Sequence, residues 1–120
     1  MKERRGGSRH IVSFPIQVIW KDENGKDIVE EGLTENVGPN GTLIYLPRKL
    51  PAVGGKVTLT VTENPSDPIS VTAEVIRLER NAAHPQAALN LVNGTRAWQK
   101  VWKLAGEVVA SMQPDVPEDW

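Results

Sequence analysis

The chain contains no cysteine. That absence removes disulfides, a thiol nucleophile and any thiolate metal site, and it suits a reducing compartment. Histidine is scarce as well. His10 and His84 are the imidazoles available, and neither has a second base or ligand at catalytic or metal spacing. Long apolar runs are missing, since none approaches the roughly 20 residues that cross a bilayer. Met1 to His10 is charged and glycine-rich, and no signal-peptide apolar core follows it. A cytoplasmic protein without membrane contact is expected. Charge of one sign is not in excess either, with 14 Lys plus Arg against 15 Asp plus Glu. Phosphate neutralisation drives polynucleotide binding, so a balanced chain is not expected to bind one. One Phe and one Tyr, with two of the four Trp on the expected C-terminal helix, offer few stacking platforms for single-stranded nucleic acid. The carboxylates scatter over turns and exposed strand faces, where solvation explains them. No catalytic constellation is assembled, so the expectation is a binding protein and not an enzyme.

What is present is period-two patterning. The length of 120 residues suits one domain. Val12, Phe14, Ile16, Val18 and Trp20 share one face of a strand, and Pro15 places that strand at an edge. Asn24-Gly25 is a hairpin turn. A weaker strand from about Lys26 to Glu35 follows; it carries several acids and Gly32, and its pattern allows a bulge. Asn36 to Gly41 packs turn formers together, and Thr42 to Leu46 reads as a short strand. Val57, Leu59 and Val61 alternate with threonines in the clearest strand. Ile69, Val71, Ala73 and Val75 form the next face, and parity then slips to Ile76 and Leu78, the mark of a bulge. Ala87, Leu89 and Leu91 make the last strand, after a turn over Asn81 to Pro85 that places His84 in a surface loop.

The period then changes. Trp98, Val101, Trp102, Ala105, Val108, Val109 and Met112 fall at helical spacing, with Thr95 as N-cap and Pro114 and Pro117 beyond the end. Gly106 costs such a helix about 1 kcal/mol relative to alanine, so a packing reason for it is expected. The pattern describes an all-β barrel closed by a C-terminal helix. The expected organisation is a flexible arm over residues 1–10, the barrel and helix over 11–112, and a loose tail over 113–120.

Two segments carry polar chemistry. Arg4, Arg5 and Arg9 lie in the arm, and the arginine fork grips phosphate or a guanine edge and stacks on flat rings. From composition alone, a solvated basic tail is the commoner reading of such a terminus. In the turn from Asn36 to Gly41, Asn36 offers donor and acceptor, while Gly38 and Gly41 allow close approach. A plain strand-to-strand turn is the commoner use of such residues.

In order and spacing the two segments resemble the PilZ domain family. Arg5-Gly6-Gly7-Ser8-Arg9 stands as its R-x-x-x-R motif, with Arg4 ahead of it. Asn36-Val37-Gly38-Pro39-Asn40-Gly41 stands as its [D/N]-x-S-x-x-G turn, with Gly38 where the family has serine. Gly54-Gly55-Lys56-Val57-Thr58-Leu59 and Ala73-Glu74-Val75-Ile76-Arg77 resemble two further strand signatures, so the likeness covers about residues 4 to 110. The resemblance implies a six-stranded antiparallel barrel that receives cyclic di-GMP, a bacterial second messenger, with no other cofactor. It implies that Arg4, Arg5 and Arg9 grip phosphate and guanine, that Asn36 contacts a guanine edge, and that Gly38 and Gly41 shape the turn. The arm would then order over the barrel and signal to a downstream protein partner, the chain being a monomer or homodimer. The alternative is a degenerate PilZ-fold interaction module that binds no nucleotide.

Overall fold

Apolar residues at every second position give each strand one face to bury, and here the sheet buries those faces by curling on itself. The computed structural model describes residues 9–112. The strands are β1 (Pro15–Lys21), β2 (Asp27–Val37), β3 (Gly41–Tyr45), β4 (Lys56–Val61), β5 (Ile69–Glu79) and β6 (Gln86–Asn93), followed by helix α1 (Thr95–Met112). All neighbours are antiparallel, in the closed order β1-β2-β3-β6-β5-β4, and β4 pairs back onto β1. Closure removes the sheet edges that would otherwise template aggregation. The expected edge at Pro15 is therefore corrected. Pro15 opens β1, where a missing N–H is tolerated, and its carbonyl accepts the N–H of Thr62.

The inward face is filled by Ile16 and Val18 of β1, Val37 of β2, Ile44 of β3, Val57, Leu59 and Val61 of β4, Val71, Ala73 and Val75 of β5, and Ala87 and Leu89 of β6. Val12 and Phe14, just before β1, join this core. Helix α1 leans on β5 and β2 and buries Trp98, Val101 and Ala105 against it.

Several local expectations need adjustment. Gly25 does turn the β1–β2 hairpin, with φ of 79°. The N–H groups of Lys26 and Asn24 bond the Asp22 carboxylate there and hold its pKa below the ordinary value. The bulge that the pattern of β2 allows is present at Glu35, and Gly32 stays in register opposite Ile16. The bulge in β5 is present between Val75 and Arg77, but the residue it expels is Ile76, which is exposed. Thr95 is the first helical residue and not the cap. The Gly94 carbonyl in front of it accepts the Trp98 N–H.

Candidate functional site

The turn from Asn36 to Gly41 is tighter than a loop. Asn36 and Val37 end β2, Gly41 begins β3, and the Gly38 N–H closes the turn on the Gly41 carbonyl at 2.8 Å. Because Glu35 is bulged out of register, Asn36 turns to the outer face beside Leu43, while Val37 and Thr42 pair facing inward. Thr42 Oγ1 donates to the Asn36 carbonyl and fixes that backbone. Gly41 is sealed against β6, since a Cβ there would lie 2.5 Å from the Leu89 carbonyl oxygen.

The arm reaches this turn. His10 and Val37 exchange both backbone hydrogen bonds, at 2.9 and 2.8 Å, forming an isolated bridge. That bridge delivers Arg9 to the turn. Arg9 Nη1 donates to Asn36 Oδ1 at 2.6 Å, across 27 residues of sequence. The Arg9 side chain lies along the bare face of Gly38, where a Cβ would stand 3.1 Å from Nη1 and 3.3 Å from Cγ and Cζ. Of the six candidate residues, Arg9, Asn36 and Gly38 are in contact and Gly41 closes the same turn. Arg4 and Arg5 lie outside the described residues.

From the other side, the fully buried Trp98 of α1 donates its indole N–H to the Gly38 carbonyl at 2.7 Å. His10 stacks on Trp102, centroids 5.9 Å apart, and its ring fills the space above Gly106, where a Cβ would meet Nε2 at 3.1 Å. That is the packing reason for a glycine in the helix. Patterning gave Trp98 a core role but carried no sign of its polar partner. His10 falls at the end of the expected arm but pairs with Val37, and the one sign of this in the sequence is its place directly before an alternating strand.

Beside Asn36 lies a cluster that no motif in the sequence marks. His84 Nε2 meets Glu35 Oε2 at 2.6 Å, and the His84 ring stacks on Tyr45 with centroids 4.5 Å apart and planes 9° apart. Among the described residues, no group of three or more His, Asp or Glu side chains is placed to hold a metal ion. No described helix is long and apolar enough to cross a membrane.

A closed six-stranded barrel capped by a helix, with an arginine from the N-terminal segment laid across the β2–β3 turn, has the build of a small binding barrel. A family model described as the PilZ domain matches residues 2–97, and the chain belongs to the PilZ domain family. No curated protein matches the chain. Solved structures share its fold at low identity. The Bacillus subtilis inhibitor of motility, MotI/DgrA, is 16% identical with a TM-score of 0.69, over 93% of this chain and 54% of its own. The PilZ domain of Escherichia coli YcgR with c-di-GMP is 14% identical with a TM-score of 0.67, over 91% of this chain and 96% of its own. The c-di-GMP complex of MrkH from K. pneumonia is 13% identical with a TM-score of 0.63, over 92% and 55%. The chain thus spans about half the length of MotI/DgrA and MrkH and nearly all of the YcgR domain.

Proposed function

We propose that this chain is a receptor for cyclic di-GMP. The observation that carries the reading is the meeting of Arg9 and Asn36 above Gly38, which unites the two motif segments in one patch of donors and acceptors. Arg9 would bond a phosphate or the O6/N7 edge of guanine, as an arginine fork does. Asn36, already oriented by Arg9, would bond a second base edge. Arg4 and Arg5 would add charge and stacking from the arm. Closure of the arm over the ligand would be the signal, read by a protein partner as a newly ordered surface. The role is binding without catalysis, in the cytoplasm. Complexes of related barrels with c-di-GMP support the ligand class.

Calorimetric titration of the whole chain with cyclic di-GMP tests this. Saturable binding is expected, with Arg9→Ala losing at least about tenfold in affinity, because a charged partner is removed. Absence of heat from the native chain at high ligand concentration sinks the receptor reading and leaves the interaction module. Gly38, with no hydroxyl where the family has serine, is the residue that favours that second reading.

A further inference from the structure

The outer face of the barrel continues beyond the Arg9–Asn36 contact. Asn36 pairs with Leu43, and Leu43 with Ala88, in one row across β2, β3 and β6. Leu33, Tyr45 and Gln86 form the next outward row, two residues along. At about 3.3 Å per residue the rows lie roughly 7 Å apart. His84 lies flat over Tyr45 in that second row and is held sideways by Glu35, the bulged residue that directly precedes Asn36. The turn that carries it is itself fixed. The Asn81 side chain accepts the Ala83 N–H, and the Asn81 carbonyl accepts the His84 N–H. The His84 side chain is still 48% exposed. It is a planar ring backed on one side, anchored at one edge and open on the other.

We propose that His84, backed by Tyr45 and anchored by Glu35, is a stacking surface for a purine base of the bound ligand. The proposal rests on the cyclic dinucleotide reading and extends it. A cyclic dinucleotide carries two bases, and Arg9 with Asn36 accounts for one. We place the second along the same face, where Leu43 and Ala88 are half-buried and the His84 ring covers Tyr45 in the next row. A ring already held by a stack and a hydrogen bond loses little freedom on binding, so its stacking appears almost undiminished in affinity. The two-ring purine covers such a face better than a pyrimidine does, and stacking requires no particular hydrogen-bond pattern.

The test is titration of the whole chain with cyclic di-GMP, comparing the native protein with Arg9→Ala, His84→Ala and His84→Phe, each checked for an unchanged melting transition. His84→Ala is expected to weaken binding about tenfold, the usual loss when a base loses an aromatic partner. His84→Phe keeps the flat ring and drops the Glu35 contact, and it should return to within about threefold of the native value. If the native chain binds and Arg9→Ala fails, yet His84→Ala binds as well as native, the stacking role is overturned while the receptor reading stands. If His84→Phe is as weak as His84→Ala, the Glu35 anchor is what matters and stacking is again overturned. A native chain that binds nothing overturns both.

Discussion

Gly38 is touched from two sides, by the Arg9 side chain on its outer face and by the Trp98 indole at its carbonyl. Its bareness is used, because Arg9 lies where a side chain would start. A serine would have to displace Arg9 by a few tenths of an ångström. Arg9 is exposed and its bond to Asn36 lies at the surface, so the displacement is cheap. The hydroxyl gained would offer one more hydrogen bond to a polar ligand, worth about 0.5–1.5 kcal/mol. Gly38→Ser is therefore expected to tighten cyclic di-GMP binding by about threefold, less than the roughly tenfold an unopposed hydrogen bond could give. Titration of the variant checks this, and a weakened complex would mean that the Arg9 placement matters more than the hydroxyl. Asn36 was legible at this scale because its type and neighbours are a turn signature. His84 was not. Nothing in the order Asn81 to Pro85 says that its ring will settle on Tyr45, a contact made only when β5 and β6 close beside β3.

Among the elements, β2 does the most to position the site. Thr34, nearly fully buried, accepts the Phe14 N–H on its Oγ1 at 2.8 Å and donates the same hydroxyl to the Val12 carbonyl. This clips the segment before β1 to β2 at the root of the arm. Thr34→Val keeps the shape and strands a buried donor and a buried acceptor, so a loss of about 2 kcal/mol is expected in denaturant unfolding. Amide exchange at Phe14 should accelerate in the same variant, whereas Thr34→Ser should keep both properties near native. Period-two alternation made the strands readable, and the slip after Val75 disclosed one bulge. The acids and Gly32 of β2 mark a strand that can bulge, but polar residues on both sides of Glu35 hide the parity change that would place the bulge. Gly32 itself serves another purpose. A Cβ there would lie 2.0 Å from the Tyr45 carbonyl oxygen, so the glycine admits a close pass of β3. Sequence shows that a backbone needs room, but not what will occupy it.

Across the whole molecule, arm, barrel and helix converge on one turn. The arm arrives through the His10–Val37 bridge, the barrel supplies Asn36 and Gly38, and α1 reaches in with Trp98 and holds His10 between Trp102 and Gly106. The helix therefore does more than cover the barrel's apolar end. It sets the peptide on which Arg9 lies. Trp98→Phe removes the indole N–H, leaves the buried Gly38 carbonyl without its partner and opens space in the core, for an expected loss of about 2–3 kcal/mol. If that were only a stability defect, Val101→Ala, which truncates the neighbouring buried contact, would behave alike. The convergence implies otherwise. At a temperature where both variants remain folded, Trp98→Phe is expected to weaken cyclic di-GMP binding by about fivefold, with the loosened turn paying an ordering cost on binding, and Val101→Ala to leave it within about twofold. Titrations of the pair, run beside their melting curves, decide the matter. Equal affinities would reduce the helix to a lid on the core, while a selective loss in Trp98→Phe would make it part of the proposed receptor site, joined through one peptide to the arginine proposed to meet the ligand.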